Sequence, residues 1–109
     1  MMEILQIEVP DLNDSFSRIV LDRVQYLIRF TWNDTAGRWN FGLYTMMREP
    51  IAVGIRMVPR FPLNIQVVNG AFPTGVFGVY SDLEKIGRSD FVEGRATFAY
   101  IPANQEVIQ

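Results

Sequence analysis

The sequence predicts an all-β domain, a small antiparallel β-barrel or sandwich of six to seven short strands with one short helix. Three observations lead there. Apolar and polar residues alternate with a period of two through residues 26–44, and a single stretch elsewhere carries a helix signal. Turn-forming residues recur about every 8–12 positions, the spacing of all-β sandwiches and barrels rather than of βαβ units. The 109 residues fit one domain, 1–109. A chain of that size buries roughly two thirds of its unfolded surface, enough for one core.

The first hairpin is "SFSRIVL" and "VQYLIRFTW" around Asp22-Arg23, a workable two-residue turn, though Asp-Gly or Asn-Gly would suit it better. The second is "YLIRFTWNDTAGRWNFGLY", residues 26–44. In it Tyr26, Ile28, Phe30 and Trp32 share one parity, opposite Leu27, Arg29 and Thr31. After the turn Trp39, Phe41 and Leu43 share a parity opposite Arg38, Asn40 and Gly42. "NDTAG" supplies the turn chemistry, with Asn33 and Asp34 as side-chain acceptors and Gly37 free to take a positive φ. The result is a hairpin with one aromatic face.

"REP" then breaks the chain, and "IAVGIRMV" (51–58) reads as a further strand. "PRFP" interrupts regular structure, because prolines cannot donate to a ladder. "LNIQVV" is a strand candidate, "NGAFPTG" a loop, and "VFGVY" (76–80) a short buried strand. "SDLEKIG" is the helix signal: Ser81 and Glu84 have capping-box spacing, and Gly87 stops it after one or two turns. "RATFAYI" (95–101) closes the domain, and the tail 102–109 is expected to be extended, fraying or meeting a partner.

Composition removes several function classes. With no histidine, the commonest general base and metal ligand are missing, and with no cysteine ordinary zinc sites and disulfides go too. "GVFG" (75–78) lacks the helix and lysine of a phosphate loop. The acids Asp82 and Glu84 sit in a short polar segment that reads as solvated. An enzyme is therefore not expected, nor any cofactor or metal. Although 49% of residues are apolar, no window approaches the ~18 consecutive apolar residues of a membrane span. The N-terminus carries no cation ahead of its apolar run, so it does not read as a secretory signal. The net charge of −2 gives no basis for nucleic-acid binding.

Two features bear on partners. Nine of the ten basic residues are arginine, Lys85 being the exception; this is either lineage bias or the preference of interfaces for the planar guanidinium. Arg29 lies opposite the tryptophans, and Arg18, Arg38 and Arg56 are also strand-borne. They are either solvated exterior or bidentate partners for acids of neighbouring subunits. Arg60 stands beside the proline-flanked Phe61, and Phe72 also precedes a proline. These two rings either fold back onto the core or anchor a partner. The shared parity of Trp32 and Trp39 with Ile28, Phe30, Phe41 and Leu43 assigns the tryptophans to the core rather than to a ligand platform. Met46-Met47 reads as strand-end packing.

The order of these features resembles a known family. The pattern "Y-x-I-R-x-x-W-N", a turn and "W-x-F-x-L" is carried here by Tyr26, Ile28, Arg29, Trp32, Asn33, Trp39, Phe41 and Leu43. With "REPIAVGIRMV", "DLEKIG" and "TFAYIP" it resembles the small baseplate plug proteins of contractile-tailed bacteriophages, over most of residues 2–101. The resemblance implies a non-catalytic virion component, made in the host cytoplasm and placed at the tip of the tail tube. Its partners would be hub, spike and tube proteins, with several copies forming a ring about the tail axis. Arg29, Arg56, Arg60, Phe61 and Phe72 are the candidate contact residues. The rival reading is a free-standing β-barrel that binds a ligand or oligonucleotide. Such a binder needs aromatics interleaved with positive charge, and most clear aromatic positions here fall on the parity away from arginine.

Overall fold

The computed structural model describes residues 4–60, 63, 73 and 75–102. They form seven strands: β1 (Leu5–Ile7), β2 (Asp14–Leu21), β3 (Val24–Asn33), β4 (Arg38–Tyr44), β5 (Pro50–Arg56), β6 (Val76–Ser81) and β7 (Ala96–Ile101). All pairings are antiparallel, in a four-stranded sheet ordered β2-β3-β4-β5 and a three-stranded sheet ordered β1-β7-β6. The all-β expectation holds.

Turn chemistry sets the β2–β3–β4 meander. Asp22 and Arg23 take φ of 53° and 71°, so the two-residue turn is left-handed at both positions and matches the strand twist. Leu21 pairs with Val24 across it, and the register runs unbroken to Asp14 opposite Thr31. At the next turn the Asn33 side-chain oxygen accepts the Ala36 N–H at 3.0 Å, and Gly37, at φ 66°, donates to the Asn33 carbonyl. This brings Trp32 opposite Trp39, Phe30 opposite Phe41 and Ile28 opposite Leu43.

β5 is less regular. The register shifts twice against β4, and Gly54 sits at φ 66°. The extra residues put Ile51 and Ala52 side by side in the interior while Val53 turns out.

The two sheets pack face to face. Phe30 and Phe41 of the larger sheet meet Phe98 edge-on or tilted, and Phe41 also meets Phe77, which packs against Phe98 and Tyr100. Tyr26, Ile28, Phe30, Trp39, Phe41 and Leu43 are all buried, whereas Trp32 is half-buried at the rim.

The sheets do not close into a barrel. On one side the chain beyond β5 passes from one sheet to the other: Met57 donates to the Trp39 carbonyl, Val79 donates to that of Arg60, and Leu63 donates to that of Phe77. On the other side β1 and β2 remain unpaired with each other, leaving a cleft of about 370 Å³ lined in part by Leu5, Ile7, Arg18, Ile19 and Val20.

No helix occurs among the described residues, so the expected helix at 81–87 is corrected. The Ser81 hydroxyl accepts the Leu83 N–H at 3.1 Å and donates to the Arg95 carbonyl at 2.7 Å. That oxygen holds an irregular loop against β7 instead of capping a helix. Ile86, just 2% exposed, pins the same loop to the core. The strand expected in "LNIQVV" falls largely outside the described residues.

Candidate assembly interface

Strand parity leaves one face of the larger sheet open. On it lie Asp14, Phe16 and Arg18 from β2, Leu27, Arg29 and Thr31 from β3, Arg38, Asn40, Gly42 and Tyr44 from β4, and Arg56 from β5. Arg48, at φ 65° in the β4–β5 turn, bends back over the same face. Five arginines thus share a surface on which Asp14 is the strand-borne acid.

Phe16 is the centre of the patch. Its ring meets Tyr44 edge-on at 5.4 Å, the Arg48 guanidinium lies 4.6 Å from its centroid and that of Arg29 5.4 Å away. Gly42 makes room for this cluster: a Cβ there would stand 3.1 Å from the Tyr44 ring. Arg29 also grips Asp14 with two parallel hydrogen bonds, of 2.8 and 2.6 Å. The carboxyl of Asp14 is held below its ordinary range chiefly by that hydrogen bond, and the Arg29 guanidinium is correspondingly raised. Both side chains are more than a third exposed, at 54% and 39%, so the pair adds about 0.2–1 kcal/mol at most. Its value is geometric: it fixes the guanidinium beside the Phe16 ring.

The structure brings Arg29 together with Phe16, Tyr44 and Arg48, and Arg56 together with Arg38 beside a small cleft of about 180 Å³ that Glu84 and Lys85 also line. Arg60 is exposed but stands apart, where its carbonyl binds β6. Phe61 and Phe72 lie outside the described residues. Sequence reading passed over Phe16, Tyr44, Asp14 and Arg48. The alternation Asp14-Phe16-Arg18 was a usable signal for the first and third of these. The inward sweep of Arg48 depends on a left-handed residue in a turn that no local motif announces. Met46 and Met47 are corrected as well: they sit in that turn, exposed by 38% and 84%, and do not pack a strand end.

The tryptophan end of the sandwich is closed. Trp39 is 1% exposed and meets Trp32 at 5.6 Å, edge to face. Phe91 and the Arg88 guanidinium, 5.2 Å from the ring, cover it from the loop before β7. Arg88 in turn donates to Asn13 at 2.7 Å and to Asp11 at 3.0 Å, tying that loop to the bend ahead of β2. No open aromatic platform exists here. Two aromatics, Phe16 and Tyr44, do share the arginine face, but guanidinium groups already lie over the Phe16 ring that a base would stack on.

Among the described residues no cluster of three metal-ligating side chains forms, and no helix is long and apolar enough to cross a membrane. Comparison with curated proteins gives no match. A family model described as "Cyanophage baseplate Pam3 plug gp18" matches residues 2–103, nearly the whole chain. That span holds both sheets, the arginine face and the tryptophan hairpin. The chain belongs to the cyanophage baseplate plug family.

Proposed function

We propose that this protein is a structural, non-catalytic plug at the tip of a phage tail tube, docked to its neighbours through the arginine face of the larger sheet. Membership of a baseplate plug family implies a place in the virion's tail baseplate and association with other phage baseplate proteins. The observation that carries the finer reading is the Phe16–Tyr44–Arg29–Arg48 cluster. It combines aromatic anchors with pre-oriented guanidinium groups, the composition favoured at interface centres. Hub, spike and tube proteins with carboxylates at the contact are the partners it fits, and several copies in a ring about the tail axis complete the arrangement. Phe61 and Phe72 add contacts at the proline-flanked segments, and production in the host cytoplasm precedes assembly.

The test is incorporation into the particle. Arg29→Glu combined with Arg48→Glu should leave the isolated domain folded by circular dichroism while removing it from purified baseplates. Baseplates that still carry the doubly substituted protein at the normal copy number would refute docking through this face.

A further inference from the structure

The four sheet edges are not equivalent. β5 begins at a proline and carries two register shifts, devices that spoil further pairing. β1 has three residues and runs toward Pro10, and β6 is already engaged by Arg60 and Leu63, through Val79 N–H to the Arg60 carbonyl and Leu63 N–H to the Phe77 carbonyl. β2 is eight residues long, without proline, glycine or bulge, and among the described residues no strand pairs along its outer side. Among the described residues it is the long, regular and unpaired edge, and β1 faces its second half across the cleft without bonding to it. A strand of that kind is a template for another chain.

The register identifies which groups it offers. In a hairpin with a two-residue turn the flanking pair, here Leu21 and Val24, is hydrogen-bonded, so the odd-numbered residues of β2 bond to β3. The Asn13 carbonyl accepting the Trp32 N–H continues that parity. The even-numbered residues, Asp14, Phe16, Arg18 and Val20, therefore turn their N–H and C=O groups to the open side.

Those residues read as a self-complementary sequence. Laid antiparallel about Phe16, "D-S-F-S-R" (14–18) meets its own copy with Asp14 opposite Arg18, Ser15 opposite Ser17 and Phe16 opposite Phe16. Val20, 53% exposed, adds an apolar side chain beyond Arg18 on the same strand. Opposite charges and aromatic pairs directly across an antiparallel ladder stabilise it, and a two-fold axis makes each contact twice. We infer that β2 pairs antiparallel with β2 of a second copy, centred on Phe16, making a continuous eight-stranded sheet from the two four-stranded ones.

This inference needs the fold alone and not the baseplate role. A two-fold pair is closed by itself, so it describes the protein outside the particle. It is tested on the purified full chain by sedimentation over a concentration series. The wild type should double its mass as concentration rises. Arg18→Asp, which sets Asp14 against an acid, and Asp14→Arg, which sets Arg18 against a cation, should each lose that doubling. An equimolar mixture of the two should recover it, because each supplies what the other lacks. That recovery separates a lost contact from a lost fold. In a chain without cysteine, Phe16→Cys should crosslink to itself under mild oxidation and Val20→Cys should not, since only the central position meets its own copy within disulfide reach. A wild type that stays monomeric, that forms a trimer or hexamer instead, or that crosslinks through position 20 rather than 16 would overturn the proposal. So would a mixture of the two charge variants that remains monomeric.

Discussion

The Tyr100 hydroxyl donates to the Asp22 carboxylate at 2.5 Å while accepting the Gly75 N–H at 3.0 Å. One side chain of the smaller sheet thus holds the β2–β3 turn of the larger sheet and the entry to β6. Burial of the phenol, then its bond to Asp22, raises its pKa well above the ordinary tyrosine value. It therefore remains a neutral donor throughout the working pH range. The sandwich is latched at this end by a hydrogen bond and at the other by Arg88 and the tryptophans.

Tyr100→Phe removes the latch without changing the volume of the ring. The Gly75 N–H loses its acceptor, while Asp22 is exposed enough for water to replace the phenol. We expect a loss of about 1–2 kcal/mol in urea unfolding. Gly75→Ala should be worse, because a Cβ there would overlap the Ile101 carbonyl and the Tyr100 hydroxyl. If alanine at 75 proved no more destabilising than phenylalanine at 100, the close approach would be unimportant.

Trp39→Ala empties the centre of the tryptophan end. The side chain is buried against Trp32 and Phe91, so a loss of about 3–5 kcal/mol is expected. Its indole N–H is buried without a hydrogen-bond partner among the described residues. Trp39→Phe should consequently cost much less than the alanine change, since no bond is broken. Calorimetric melting of both variants decides it, and equal destabilisation would contradict the packing account.

Arg23 occupies φ 71°, where a side chain is strained and glycine is not. Arg23→Gly creates the Asp-Gly pair that type I′ turns prefer. Relief of strain exceeds the added freedom of the unfolded chain, for a net gain on the order of 0.5–1 kcal/mol. A lower melting temperature would show that Arg23 makes contacts worth more than its strain.

Acid should weaken the fold through Asp90. Its carboxyl accepts the Gly87 N–H at 2.5 Å and the Arg95 guanidinium at 2.6 Å, and these contacts, the Gly87 bond first, lower its pKa. A carboxyl that is more acidic in the folded state stabilises above its unfolded pKa of about 4 and loses that contribution as pH falls through the folded value. Asp14 acts in the same direction, but its exposure makes its share smaller. Stability of the wild type should thus drop below about pH 4. Asp90→Asn should be less stable at neutral pH and lose less on acidification. An unchanged acid limb in that variant would refute the assignment.

The sequence alone was enough to place the strands β2 to β7 and the face each residue of the central hairpin presents, whereas β1, three residues long, carried too short a pattern to be read. The period of two in β3 and β4 is a local property, imposed by the pleat, so Ile28, Phe30, Phe41 and Leu43 could be assigned to one side before any partner strand was known. The same is true of Arg29, whose parity assigned it to the other face. Turn residues worked for a similar reason: Asn33 and Gly37 act within four positions of each other.

Tertiary structure decided the rest, because it depends on groups distant in the chain. Ser81 and Glu84 have capping-box spacing, but Ser81 is drawn to the Arg95 carbonyl fourteen residues away, and the helix does not form. The bulges of β5 bury the neighbours Ile51 and Ala52 side by side, an arrangement that a strand's period of two does not encode. The candidate site shows the same division. Its arginines could be read as strand-borne and outward, but the capture of Arg29 by Asp14, fifteen residues away, and the fold of Arg48 over Phe16 exist only once the strands are in register. Register is a non-local choice, fixed by which apolar faces can be buried together, and a single strand holds no record of it.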